Sequence, residues 1–139
     1  MKKISYAVLL FSVIALGQSA FAGTTASPTG AKAYIASPQN GEVVPTTFKV
    51  KFGLSGMGVA PAGVDKKNTG HHHLLVNGKS LPEMNKKMGK SVKHFGGGQT
   101  ETILTLPPGE HTLQLILGDK NHVPHNPPVI SEKITIIVN

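Results

Sequence analysis

The sequence contains no cysteine, no tryptophan and no arginine in its 139 residues. Without cysteine there are no disulfides, thiolate metal ligands or thiol nucleophiles, so packing alone must stabilise the fold. The lack of arginine and the low aromatic content, 5%, argue against nucleic-acid recognition, which relies on guanidinium forks and base stacking. All 14 positive charges are lysines, and their scatter along the chain is typical of a solubilising surface.

The first 22 residues have the three parts of a secretory signal peptide. Two lysines precede an apolar run over residues 6–16, and Ala20-Phe21-Ala22 is a small-x-small cleavage site. The run is too short to span a membrane, and no later stretch approaches the ~20 apolar residues that a span needs. We therefore expect cleavage after Ala22 and a periplasmic or secreted bacterial protein without a membrane anchor, with a flexible lead-in over residues 23–30.

Residues 31–139 have the length of one domain and the alternating pattern of short β-strands. The pattern predicts strands over residues 31–36, 46–54, 72–76, 100–106, 111–117 and 131–138. Only residues 81–93 suggest a helix, and a weak strand is the other interpretation of residues 78–93. Short strands with long Gly- and Pro-rich connections favour an all-β fold, an immunoglobulin-like sandwich of two sheets and about seven strands.

Histidines concentrate at one end of the predicted sandwich. In this topology the connections over residues 57–70, 94–99 and 118–130 meet at the same end. Six of the seven histidines lie in or beside these connections: His71, His72, His73, His94, His122 and His125. The seventh, His111, follows a Pro-Gly turn and resembles the residue of a tyrosine corner, so we expect a structural role for it at the opposite end.

The stretch GHHHLLVN, residues 70–77, gives its three histidines unequal environments. Strand alternation places His72 on the face of Leu74 and turns His71 and His73 to the other face. Residues i and i+2 stand about 6.6 Å apart, because the rise is ~3.3 Å per residue, and two imidazoles can close around one ion across that span. We predict that His71 and His73 chelate, while His72 points inward and hydrogen-bonds the loop before the last strand.

That loop, LGDKNHVPHNPP over residues 117–128, is rich in proline, which lowers the entropy cost of ordering it. His122 and His125 flank a Val-Pro pair and are predicted ligands. Asp119 either caps the turn or orients an imidazole through a hydrogen bond.

Three stretches together resemble a known family: GHHHLLVN, HFGGGQTETILTLPPGEHTLQL and LGDKNHVPHNPP. They are similar to a family of short exported bacterial domains of unknown function that is marked by a GHHH motif and an LGD motif. The resemblance covers residues 57–138. It implies a shared design without naming a reaction, and it implies that the marking positions here are Gly70, His71, His72, His73, Leu117, Gly118 and Asp119.

Metal binding is the leading functional hypothesis. Neutral imidazole suits copper and zinc, and it is the dominant form of an unperturbed histidine at pH 7. We expect a monomeric, histidine-rich module whose partner is a copper or zinc ion, with another envelope protein as a further candidate. The predicted ligands are His71, His73, His94, His122 and His125, supported by His72, Asp119, Gly70 and Gly118.

Two other functions are open. A metal-independent binding or assembly module would recognise an envelope protein, peptide or glycan with the same end loops, and fold alone does not decide between these. A metal-assisted hydrolase is the minor alternative. We expect no enzymatic activity, because no serine lies in a nucleophile-elbow pattern and only Asp65, Glu101 and Asp119 are placed near a general-base role.

Overall fold

The computed structural model describes residues 25–139, which form two β-sheets and contain no helix. The signal-peptide prediction therefore lies outside the described residues, and no helix within them could span a membrane. The strands are β1 (Lys32–Ser37), β2 (Val43–Val44), β3 (Thr47–Ser55), β4 (Gly58–Val59), β5 (Thr69–Val76), β6 (Lys93–His94), β7 (Glu101–Thr105), β8 (Gly109–Gly118) and β9 (Ile134–Val138).

The strand order is that of an immunoglobulin-like sandwich. The smaller sheet has the order β1-β3-β7, and the larger sheet has the order β2-β9-β8-β5-β4, with β6 also paired to β5. These positions correspond to strands A, B and E in one sheet and G, F and C in the other. The predicted all-β fold of two sheets is confirmed. The strands number nine, where about seven were expected, and three of them, β2, β4 and β6, have only two residues each.

The main core lies between the two sheets and follows the alternation of the sequence. On β3, Phe48 and Val50 point inward, and on β8 Leu113, Leu115 and Leu117 do the same. The three leucines are fully buried, and burial of each such side chain stabilises the fold by about 1.5–3 kcal/mol. This packing fixes which face of each strand is internal.

The helix that the sequence suggests over residues 81–93 is not formed. The segment consists of turns and irregular chain that ends in the short strand β6. Met88 and Val92 are buried against Leu75 of β5 and Ile116 of β8, on the side of the larger sheet that faces away from the main core. The apolar residues of this segment therefore belong to a flap of chain, residues 81–93, that covers the outer face of this sheet. Pro82 and Gly89 also interrupt any helical run.

Residues 25–27, within the expected lead-in, lie along the connection between β8 and β9. The Asn126 amide donates to the Thr25 carbonyl at 2.9 Å, and the Ser27 amide donates to the Asn126 carbonyl at 3.2 Å. The Ser27 hydroxyl also donates to the carbonyl of Pro127 at 2.6 Å. The beginning of the described chain thus holds the loop that carries His122 and His125.

Candidate metal centre

The three consecutive histidines of β5 are all buried, but they face opposite sides of the sheet. The rings of His71 and His73 lie next to each other, with centroids 4.6 Å apart, on the outer face. The ring of His72 points between the sheets and lies 5.2 Å from the ring of Phe52 on β3. The predicted division of the triplet is confirmed, and strand alternation is its cause.

Four histidines come together on the outer face of β5 and form what we call the histidine group: His71, His73, His94 and His122. One ligand nitrogen from each lies within 4.8 Å of all the others. Imidazole nitrogens that share an ion at about 2.0–2.1 Å lie roughly 3–4 Å apart. A closure of about 1 Å would therefore let all four nitrogens bind one ion.

Strand pairing and a left-handed turn bring the two distant histidines to the group. His94 is directly opposite His73 in the pairing of β6 with β5. His122 has a φ of 66°, an uncommon conformation for a residue other than glycine. Its amide donates to the Asp119 carbonyl at 2.9 Å, and its own carbonyl accepts from the Met88 amide at 2.8 Å. The loop and the flap of residues 81–93 thus fix its position together.

Two glycines make room for imidazoles. A Cβ on Gly118 would lie 2.6 Å from Cε1 of His73 and 2.8 Å from the terminal methyl of Met88. A Cβ on Gly70 would lie 2.8 Å from Cε1 of His125 and 2.7 Å from the backbone oxygen of Gly118. All four distances are too short for a side chain, so the absence of a Cβ at these positions allows the rings to pack directly on the sheet.

Asp119 caps the loop, which decides between its two predicted roles. Its Oδ1 accepts hydrogen bonds from the amides of Asn121 at 2.8 Å and Val123 at 2.9 Å. Its Oδ2 accepts from the Thr25 hydroxyl at 2.7 Å. Burial acts to raise the pKa of Asp119, but these hydrogen bonds outweigh it and leave the pKa below its ordinary value. The carboxylate makes no hydrogen bond to a histidine within residues 25–139.

Three members of the histidine group, His71, His73 and His122, have lowered pKa values, which favour the neutral state that a metal ion requires. Burial first, and then the neighbouring imidazoles, lower the pKa of His71 from 6.5 to about 4 and that of His73 to about 3. Burial and His94 also lower the pKa of His122. Nε2 of His71 and Nδ1 of His122 lie 3.0 Å apart, as donor and acceptor. Nδ1 of His71 and of His73 are buried without a partner in the described chain.

His125 does not join the group, although the sequence suggests it as a ligand. After Pro124, which bridges to Gly118, the loop carries His125 to the inner side of β5, over Gly70. There its Nε2 donates to the Thr69 carbonyl at 3.2 Å. The prediction took both histidines that flank the Val-Pro pair as ligands, but with Pro124 paired to Gly118 they lie on opposite sides of β5.

The hydrogen bond expected from His72 to the same loop is also absent. Both ring nitrogens of His72 are buried without a partner in the described part of the chain. Burial lowers the pKa of His72 from 6.5 to about 4, since the ring is surrounded by the apolar core. His72 supports the site by filling the core beneath it.

His111 has the structural role that the corner pattern predicts. Its Nε2 donates to the Pro107 carbonyl at 2.8 Å, and its Nδ1 accepts from the side-chain amide of Asn77 at 2.8 Å. Asn77 in turn accepts from the Thr112 amide at 2.9 Å. The register pairs His71 with Gly118, at one end of β8, while His111 lies near the other end.

Sequence reasoning missed one part of the site. A pocket of about 380 Å³ opens beside the histidine group, and residues of the flap line it. Among these are Lys87, Met88 and Lys90. The prediction of a helix did not place this segment against the sheet, although its apolar residues Met84, Met88 and Val92 indicate that one side of it packs.

These features define a class of protein: a small immunoglobulin-like β-sandwich with a candidate metal centre of four histidines at one end. The chain belongs to the family described as Domain of unknown function (DUF4399), whose model matches residues 50–139. The matched segment contains the whole histidine group. No curated protein matches the chain. No solved structure matches it either.

Proposed function

We propose that this protein is an exported module that binds one copper or zinc ion through His71, His73, His94 and His122. The observation that carries the proposal is the convergence of four imidazole nitrogens within 4.8 Å of one another. The four residues come from two strands and a loop. The group consists of histidines alone and includes no carboxylate.

The chemistry of the ligands supports copper or zinc over harder ions. Imidazole nitrogen suits Cu(II) and Zn(II), whereas Mg²⁺ and Ca²⁺ prefer oxygen ligands. The low pKa values of His71 and His73 keep both rings deprotonated at one nitrogen well below pH 7.

A binding role fits the acidic residues better than catalysis does. A metal-assisted hydrolase needs a base beside the open metal position. The three acidic residues considered for that role are engaged elsewhere: Asp65 pairs with Lys120, Glu101 pairs with Lys49, and Asp119 caps its own loop. The expected signal peptide supports an activity outside the cytoplasm.

Titration of tag-free protein with Cu(II) and Zn(II) tests the proposal. His94 and His122 are the more exposed members of the group, so His94→Ala and His122→Ala should leave the fold intact. We expect each to weaken binding by about 10- to 100-fold or more. The matched controls are His111→Ala, at the opposite end, and His125→Ala, on the inner face, and both should retain affinity for the ion.

Two results would contradict the proposal. Dissociation constants in the millimolar range for both metals would leave the histidine group without an ion to bind. Equal affinity in His94→Ala and in wild-type protein would assign the ion to other residues. A protein partner captured from an envelope extract and retained in chelator would instead favour the metal-independent binding module.

A further inference from the structure

The pocket beside the histidine group gives a bound ion an open side. His73, His94 and His122 form one wall of this pocket, and residues 87–92 supply the rest. His71 is fully buried and does not line the pocket, so it would hold the ion from behind. An ion at the centre of the group would therefore be reached from the pocket side.

The open side is positively charged. Lys87 and Lys90 line the pocket, and the lining contains no carboxylate. The salt bridges in the described chain involve Lys49, Lys86 and Lys120, so both pocket lysines lack a carboxylate within 4.0 Å.

Two lysines beside a cation site oppose cation binding unless an anion lies between the charges. A divalent ion held by four neutral imidazoles keeps its full charge, and the lysines add to it. An anionic ligand on the open side would accept hydrogen bonds from both ammonium groups while it binds the ion. The arrangement thus favours a ternary complex over the bare ion.

We propose that this pocket takes a small oxyanion, of the carboxylate or phosphate type, that binds the metal ion and contacts Lys87 and Lys90 at the same time. This inference rests on the proposed function, because the ion completes the site. The pocket volume of about 380 Å³ is many times the roughly 30 Å³ share of one water molecule. Met88 and Val92 add apolar lining, which favours a small organic acid over an inorganic anion.

Anion titration of the Cu(II)-loaded protein tests this. The probes are succinate, inorganic phosphate and the uncharged succinamide, and the readout is the change in the visible absorption and electron paramagnetic resonance spectra of the copper. We expect succinate and phosphate to bind and succinamide to leave the spectra unchanged. Lys87→Ala with Lys90→Ala should weaken anion binding at least tenfold. The matched control, Lys32→Ala with Lys51→Ala, removes the same charge from the smaller sheet and should bind the anion as wild type does.

The outcomes separate this inference from the proposed function. Stronger binding of succinate supports an organic acid, and stronger binding of phosphate supports the oxyanion and assigns it to an inorganic source. If Cu(II) binds but the anions bind the Lys87/Lys90 variant as well as wild type, or if succinamide binds equally, the pocket inference is wrong and the metal site stands. If Cu(II) does not bind, both fall together.

Discussion

The two faces of β5 carry the same type of side chain in opposite surroundings. On the outer face, His71 and His73 meet two other imidazoles. On the inner face, His72 contacts Phe52 and makes no hydrogen bond in the described chain. Both faces lower the histidine pKa values through burial, but only the outer face also gathers neighbours that could share an ion. Burial therefore favours the neutral form of a histidine, and convergence with other imidazoles makes it a candidate ligand.

The largest expected effect is a loss of stability in acid, to which both faces contribute. Below pH 6.5 the unfolded chain binds protons that the folded chain does not accept until about pH 4, so stability falls as the pH falls through this window. From its shift, His72 alone should contribute about 3 kcal/mol, and His71 and His73 add to the loss. Urea unfolding of metal-free protein between pH 7 and pH 4 measures it.

This titration also separates the two faces. The substitution His72→Phe should remove the part of the acid sensitivity that comes from His72. A bound ion should stabilise the fold at neutral pH only through the histidines of the outer face. A stability that is constant from pH 7 to pH 4 would show that the burial of these rings has no energetic consequence.

The next effect concerns metal affinity, which should depend on the outer face of β5 and not on the inner face. We expect His73→Phe to abolish most binding, a loss of about 100-fold or more. The same substitution at the neighbouring position, His72→Phe, should leave affinity within a fewfold and raise the unfolding free energy by about 1–3 kcal/mol, because it removes two unpartnered polar atoms. Calorimetric titration with Zn(II) and urea unfolding measure both. Equal losses in the two variants would end the distinction between the faces.

The smallest effect comes from the two glycines. Gly118→Ala should push the ring of His73 away from β8 and weaken metal binding more than it lowers stability. Gly70→Ala should crowd a backbone oxygen and lower stability by about 1–3 kcal/mol, with less effect on the ion. Calorimetric titration with Zn(II) gives the loss of affinity, and urea unfolding gives the loss of stability. The ratio of these two losses is compared between the two variants. A larger affinity loss in Gly70→Ala would reverse the assignment.

Local rules predicted the strands and the division of the histidine triplet. The period of two along β5, anchored by apolar Leu74, decides which histidines face the core. His94 and His122 followed from the loop positions of an immunoglobulin-like topology. The proposed site was thus largely accessible from sequence once the strand order was right.

The parts of the structure that could not be predicted from the sequence depend on contacts between distant segments. In the flap over residues 81–93 the apolar residues recur every three or four positions, which suits a short helix as well as a layer over a sheet. Only Pro82 and Gly89 argue against the helix. The direction of His125 depends on the pairing of Pro124 with Gly118 and on the space above Gly70. Neither of these can be derived from the spacing of histidines.

The histidine group combines two residues of a central strand with two residues that come from a short strand and a loop. His71 and His73 belong to a strand that is paired on both sides, whereas His94 ends a two-residue strand and His122 lies in a loop. The hydrogen bonds of Asp119 and of the Met88 amide hold the turn that carries His122, so the residence time of an ion would depend on them as well as on the metal–nitrogen bonds at β5. Thr25, which holds Asp119, would thereby influence the rate of metal release without touching the metal.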